Sequence, residues 1–396
     1  MAGNLIDQRV LIAGAGIGGL SAAIALARNG IASQVLERSR KFSTDGAGIQ
    51  LGPNATRILK KWGVFDSLAE QAVYPEHIGI RDGRTGDTLT TVPLGGTAEA
   101  RYGAPYIVIH RADLHRALLN HARAYDTVVL RRHFEVKNVS PSLKTVMVHA
   151  RDGARTSGAL LVGADGLWSR VRYLIEPSAQ TRFSGKTAWR TLLDVSALPE
   201  HFQRPAIGLW MAPSAHLVHY PVRGGKALNV VAVVNDLLAE QGWNTPGDRQ
   251  EILPHFQDWP AEIQALLSST RRWRKWSLVE MPPLQNWSQN HMVLLGDAAH
   301  PALPFLAQGG AMAIEDADAL ATALSGHANS LEEALQTYKA RRMGRAAAVQ
   351  AASRRIGRLY HLSGMAAYAR NLVLRARRPE ALLKSYDWLY RFVDTG

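Results

Sequence analysis

Residues 9–19 read RVLIAGAGIGG, and Glu37 closes the next apolar run, VLE at 35–37. Val10, Leu11, Ile12 and Ala13 form an unbroken apolar run, as in a strand buried on both faces of a parallel sheet. Gly14, Gly16 and Gly19 supply G-x-G-x-x-G; an Ala-rich helix is predicted over 20–27 and a second strand over 32–36, with Glu37 at its tip. The first glycine makes the tight turn, and the second lets a pyrophosphate approach the backbone. The third allows close helix–strand packing, and the helix start offers free N–H groups to the anion. An acid at the end of the second strand accepts both hydroxyls of an adenosine ribose and disfavours a 2′-phosphate. The rival reading is a membrane span, because residues 10–27 contain Ser21 as their one polar side chain. The glycines inside that stretch, with Asp7 and Arg9 just before it, favour the dinucleotide fold.

Working outward, 396 residues suffice for two closely packed domains, and 46% hydrophobic with 20% charged residues describes an ordinary soluble protein. The absence of cysteine excludes a disulfide framework, a Cys-ligated metal and a redox dithiol, and it points to a reducing cytoplasm. The net charge of +13 resembles a nucleic-acid signal until it is located. Residues 339–391 hold thirteen Lys/Arg against Glu380 and Asp387, spaced along predicted helices that also carry Tyr360, Leu372 and Trp388. That is the pattern of a solvated helix face whose apolar side packs inward. No nucleic acid, no metal and no membrane span is expected; the field favours anionic small molecules.

Residues 46–54, GAGIQLGPN, read either as a loop running beside a ligand or as a plain turn before a helix over 55–62. A hairpin is predicted over 78–92. Arg111 follows a short strand over 106–109, and it either lines the crevice or pairs with Asp113. Strands over 128–130, 134–139 and 145–149 suggest a meander. Leu160 to Gly163 is a further buried strand, ending in Asp165-Gly166 with Ser169 and Arg172 beyond. Residues 180–290 hold seven of the ten tryptophans and read as a mostly antiparallel sheet. Period two places His216, Val218 and Tyr220 on one face, a placement common in cores as well as in catalytic sites. A last buried strand over 292–295 runs into Gly296-Asp297, and Gln308-Gly309-Gly310 opens a long helix over 311–324.

Three separated motifs, Gly14-x-Gly16-x-x-Gly19 with Glu37, Asp165-Gly166 with Ser169 and Arg172, and Gly296-Asp297 running into Gln308-Gly309, give the chain a family likeness. It resembles the single-component FAD-dependent aromatic hydroxylases, the para-hydroxybenzoate hydroxylase group, and most closely the salicylate hydroxylase-like branch. The segment 349–390, with Tyr360-His361-Leu362-Ser363-Gly364, is similar too.

The resemblance implies an α/β architecture: a Rossmann-like FAD-binding domain (1–75, 104–179 and 290–345) interleaved with a mostly antiparallel substrate-binding domain (76–103 and 180–289), plus a C-terminal helical segment (346–396). It implies FAD held by Gly14, Gly16, Gly19, Glu37, Arg38, Gly48, Arg111, Val136, Asp165, Asp297, Gly309, Gly310 and Ala311, as monomer or homodimer. A single G-x-G-x-x-G leaves NAD(P)H as co-substrate without a Rossmann domain of its own. The implied reaction hydroxylates a small phenolic or hydroxylated heteroaromatic acid with O₂, through a flavin hydroperoxide. Electrophilic hydroxylation needs a base near the substrate hydroxyl; His216 is the candidate, with Tyr220 beside it, and Gln50, His300 and Pro304 are placed at the pocket. Arg190 and Arg84 are the two candidates for a carboxylate clamp. The alternative is a flavin-dependent epoxidase or reductase acting on a larger apolar substrate.

Overall fold

The computed structural model describes residues 9–42, 46–142, 145–236 and 243–393. Val10–Ala13, buried at all four positions, lies inside a six-stranded sheet. The order is Ser288–Gln289, Met292–Leu294, Leu160–Gly163, Val10–Ala13, Ser33–Glu37, Val128–Arg132. All pairings are parallel except the edge hairpin Ser288–Gln289 with Met292–Leu294. Helices cover the sheet, which explains the lack of polar alternation along its central strands. Ile17–Arg28 packs on Gly309–Gly326; a Cβ at Gly18 would stand 2.8 Å from Leu295 Cδ2 and 3.4 Å from Ala313 Cβ.

An eight-stranded sheet runs Trp243–Gly247, Trp273–Glu280, Arg182–Asp194, Ala227–Asn235, Ala215–Val222, Ile207–Ala212, His77–Asp82, Thr88–Pro93. It is antiparallel apart from Ile207–Ala212 against His77–Asp82. One face, with Trp210, Leu217, Val230 and Ala232, is covered by the Ile252, Phe256, Ile263 and Leu267 side chains. The other face turns toward the nucleotide-type sheet.

Two local expectations are corrected. Val128–Arg132 leaves the supposed meander and adds in parallel to Ser33–Glu37, because its β-branched run finds a hydrogen-bonding edge there. The meander is formed instead by Val136–Pro141, Val146–Ala150 and Arg155–Gly158. In addition, the helix Leu331–Tyr360 runs unbroken through residue 346, where a boundary was expected.

That long helix is fastened through buried charge. Arg342, fully buried, donates to Glu315 Oε2 and Asp316 Oδ1, each at 2.7 Å. Arg345 reaches both Glu315 oxygens at 2.6 and 2.7 Å, and Asn54 Nδ2 donates to Glu315 Oε1 at 2.6 Å. Asp316 Oδ2 takes the Gly296 N–H at 2.9 Å and lies 2.5 Å from His300 Nε2. Burial pushes both carboxyls up, but His300 and Arg342 around Asp316, and Arg342 and Arg345 around Glu315, hold them below the usual carboxylate range. A depressed folded-state pKa contributes stability above the unfolded value, about 4, and loses it as pH falls through the folded value. Replacing Arg342 by Met leaves Asp316 Oδ1 without a partner and takes one of the two cations from Glu315, and it should lower the unfolding free energy at pH 7 by about 3–5 kcal/mol. In urea titrations this deficit should narrow as the pH drops below about 4.

Candidate active site

The turns after Val10–Ala13 and Leu160–Gly163 lie side by side because their strands are neighbours. Gly14 has φ +97°, and a Cβ there would stand 2.6 Å from the Ala164 carbonyl oxygen, so no other residue fits. A Cβ at Gly19 would meet the Gly14 carbonyl oxygen at 1.8 Å. At Gly16 it would meet nothing within 4 Å: the space before Ile17–Arg28 is open, and that helix has no side-chain cap. Glu37 stands across the mouth of this turn, accepting the Ala15 N–H on Oε2 at 2.9 Å and the Ser39 N–H on Oε1 at 2.8 Å. Each oxygen keeps a second lone pair for a ligand hydroxyl. Val136 lies close by, since the Phe134 N–H donates to the Glu37 carbonyl at 2.9 Å; Arg38 is exposed beside it.

Asp165 accepts the Ser169 hydroxyl at 2.5 Å and the Arg170 and Val171 N–H groups at 2.7 and 3.2 Å. Its carboxylate therefore points into the start of Arg170–Ile175 and shapes the wall of the crevice. Arg172, buried, donates to the carbonyls of Asp297 at 3.2 Å and Ala298 at 3.1 Å, and also to Leu167. One guanidinium thus ties the loop at 165–167 to the loop at 296–298. Asp297 opens onto the crevice but is walled in by protein, which pushes its carboxyl up against the opposing charges of His300, Arg111 and Arg172. Arg111 is exposed on the crevice side. Asp113 pairs with Arg116 at 2.8 Å, so an Arg111–Asp113 ion pair is not formed.

On the far side, Gln308 precedes Gly309–Gly326, again with no side-chain cap, so the N–H groups of Gly309, Gly310 and Ala311 lie at a free helix start. The Gln308 Nε2 is buried without a partner. A Cβ at Gly310 would stand 2.6 Å from Ile49 Cδ1, and one at Gly48 would stand 2.5 Å from the Tyr220 ring. Gly48 also donates its N–H to Asn229 Oδ1 at 2.7 Å. The strand Gly48–Leu51 is thereby gripped between this helix start and the eight-stranded sheet.

On that sheet, Val218 lies opposite Val231, and Val231 opposite Arg190. These three are half-buried, while His216 and Tyr220 on the same face are buried, so the row forms the floor of a recess. Burial pushes the Tyr220 hydroxyl up to about 12, against the pull of Arg190 and a hydrogen bond to Gln50. Gln50 Oε1 also accepts from Tyr106 at 2.6 Å, and Tyr106 meets the Tyr390 ring edge-on at 6.0 Å. Arg190 stacks on Trp276 at 5.0 Å, its Nε buried without a partner. Burial lowers its pKa, and Tyr220 and Arg111, not a carboxylate, are the groups that act on it. His216 Nδ1 lies 2.7 Å from His361 Nε2, and the His216 ring packs on Phe305 and Tyr360. Burial, then His361 and Lys186, hold its pKa well below the usual histidine value, so the imidazole is neutral at pH 7.

Pro304 begins the short turn carrying Phe305, whose ring packs on His216. His300 does not line the recess: the ring is buried against Trp287, and Asp316 holds its Nε2, because the carboxylate on the neighbouring helix offers a charged partner. Arg84 sits exposed in the hairpin turn after His77–Asp82, leaving Arg190 as the cation at the recess. Asn229, Tyr106 and His361 were not anticipated. Asn229 left a trace, an amide set inside the apolar strand Ala227–Asn235 and facing Tyr220 across the pairing.

A family model described as an FAD binding domain matches residues 7–353. A 3-hydroxybenzoate 6-hydroxylase of Polaromonas naphthalenivorans (strain CJ2) is 36% identical over 390 residues, covering 98% of this chain and 97% of that protein. A 6-hydroxynicotinate 3-monooxygenase of Pseudomonas fluorescens is 37% identical over 351 residues, 87% of this chain and 90% of the relative. The solved structure of a salicylate hydroxylase substrate complex superposes with a TM-score of 0.83 over 98% of this chain and 96% of that one; at 24% identity it shows the shared fold.

The open space at Gly16 gives a direct test. Gly16→Ala should change the unfolding free energy of FAD-free protein by about 1 kcal/mol or less. FAD retention, measured by fluorescence on dilution, should weaken by about tenfold or more.

Proposed function

The chain belongs to the FAD-binding family of single-component aromatic hydroxylases, and from that premise we propose that it hydroxylates a small aromatic acid carrying a ring hydroxyl, a hydroxybenzoate or hydroxypyridine carboxylate, with NAD(P)H and O₂. The residues present suit FAD. Gly16 leaves room for a pyrophosphate in front of an uncapped helix, Glu37 offers carboxylate oxygens to a ribose, and the orphaned Gln308 amide and the free N–H groups of Gly309, Gly310 and Ala311 suit the polar edge of a flavin. Arg111 and Asp297 would complete the cradle between them. Bound there, FAD supplies the redox chemistry, taking hydride from NAD(P)H and activating O₂ for transfer of one oxygen atom to an electron-rich ring.

The observation carrying the substrate class is Arg190, a cation set in the recess between His216 and Tyr220 with no carboxylate acting on it. A substrate carboxylate would satisfy that cation through charge-assisted hydrogen bonds. With the acid group held there, the ring lies over Val218 and Val231, and its hydroxyl comes within the domain of His216 or Tyr220. Tyr220, kept protonated by burial, donates a hydrogen bond; neutral His216 accepts a proton and leaves the ring as an electron-rich phenolate. The apolar rows around the recess and the tyrosines beyond Gln50 exclude water from the reacting ring.

The test is a panel of hydroxylated benzoates and pyridine carboxylates, scored for stimulated NADH and NADPH oxidation, O₂ uptake, H₂O₂ and hydroxylated product. Coupled product from one of them supports the reading; oxidation of NAD(P)H that never yields a hydroxylated ring refutes it. On the best substrate, Arg190→Met should raise KM by about 10- to 100-fold, the value of a lost charged hydrogen bond. The matching phenol without a carboxylate should be indifferent to the change.

A further inference from the structure

His216 is joined to a second imidazole, and the pair runs from the recess to the surface. His361 caps the C-terminal end of Leu331–Tyr360 and is half-buried. Its Nε2 lies 2.7 Å from His216 Nδ1; its Nδ1 lies 2.9 Å from Asn235 Oδ1 and 3.3 Å from Lys186 Nζ. Lys186 Nζ donates to the same Asn235 oxygen at 2.6 Å, and Asn235 is exposed. The turn bearing His361 is pinned by Arg370, which donates to the Leu359 and Tyr360 carbonyls at 2.8 and 3.2 Å.

Resting on the reading of His216 as the proton acceptor, we propose that His361 is the positioning residue that sets the His216 tautomer and passes the substrate's hydroxyl proton to solvent at Asn235. The direction of the bonds carries the argument. Asn235 Oδ1 is an acceptor, so the nearer contact to His361 Nδ1 makes that nitrogen an N–H donor. His361 Nε2 is then bare and accepts Nδ1–H from His216, which leaves His216 Nε2 bare and able to take a proton. As the substrate O–H breaks, its electron pair stays on the ring oxygen and the proton goes to His216 Nε2. The His216 Nδ1 proton moves to His361 Nε2, and the His361 Nδ1 proton leaves to water beside Asn235. One proton crosses from substrate to solvent, and nothing is oxidised or reduced.

The charged and titratable groups facing the path are Lys186 and Arg370 at His361, and His361 and Lys186 at His216. Burial, then these two cations, lower the His361 pKa to about 3, so a proton is passed along and not stored. The bland alternative, two buried imidazoles satisfying each other, predicts the same packing but no kinetic effect.

Two variants of the FAD-loaded enzyme separate these. His361→Phe keeps a ring against His216 and Tyr360; Asn235→Leu removes the acceptor from an exposed position. Both should lower kcat for hydroxylation by about tenfold or more, the scale of a proton-transfer contribution, with KM nearly unchanged. In His361→Phe the loss should ease with rising pH, as the free substrate ionises unaided. Unchanged kcat and pH profile in both variants would overturn the proposal. ¹⁵N-histidine NMR of the FAD-loaded wild type decides independently of any substrate. His216 as the Nδ1–H tautomer, lost in His361→Phe, supports the path, and His216 as the Nε2–H tautomer refutes it even if the hydroxybenzoate panel succeeds. A silent panel alongside the Nδ1–H tautomer faults the substrate reading alone.

Discussion

Two helices begin at one crevice with no side chain to cap them, and most of the architecture follows from that electrostatic demand. Ile17–Arg28 and Gly309–Gly326 pack against each other, so their positive ends sit at neighbouring openings and their first N–H groups lack internal acceptors. Such a site is costly to leave unfilled and ready to take an anion. The close approaches around Gly14, Gly18 and Gly19 hold the two helix starts at their spacing, since a methyl group at any of them would meet neighbouring atoms at 2.8 Å or less. Arg172 adds the third wall by binding the loop at 296–298 to the one at 165–167.

The buried charges at Glu315, Asp316, Arg342 and Arg345 solve a related problem. Gly309–Gly326 must present its start to the crevice without moving, yet its own first turn offers little to grip. Its second turn is held instead, by Asn54 from one side and two arginines of the long helix from the other. Buried ion pairs of this kind add little net stability over apolar packing, but they fix orientation because every carboxylate oxygen is held by donors from a different part of the chain. Arg345 also donates to the Trp388 and Leu389 carbonyls at 3.1 and 2.9 Å, so the same cluster fastens the segment that ends in Tyr390.

How much of this was legible depended on distance along the chain. The glycine turn, Glu37, Asp297 and the 309–311 helix start are local patterns, each a few residues long with its own chemistry, and the sequence displays them whole. His216 and Tyr220 on one face follow from period two alone. Arg190 could not be chosen over Arg84 without the register that sets it two strands from Val218, and register is a tertiary fact. His361 was invisible for the same reason: its partner His216 lies 145 residues away. His300 misled because its motif position points to the crevice, whereas Asp316, one helix away, turns the ring inward. The strand Val128–Arg132 reads identically in a meander or at a parallel edge; the free edge of Ser33–Glu37 decided it.

The wall beyond Gln50 carries a consequence for synthesis. Tyr106 bonds to Gln50 and packs against Tyr390, while Arg57 donates to the carbonyls of Tyr102, Tyr390 and Phe392. Residues made early in translation therefore wait for residues made much later before this side of the recess exists. Domains tend to fold from the N-terminus as the ribosome releases them. Here Arg57 and Tyr390 stand 333 residues apart, so this side of the recess closes only when both segments have folded.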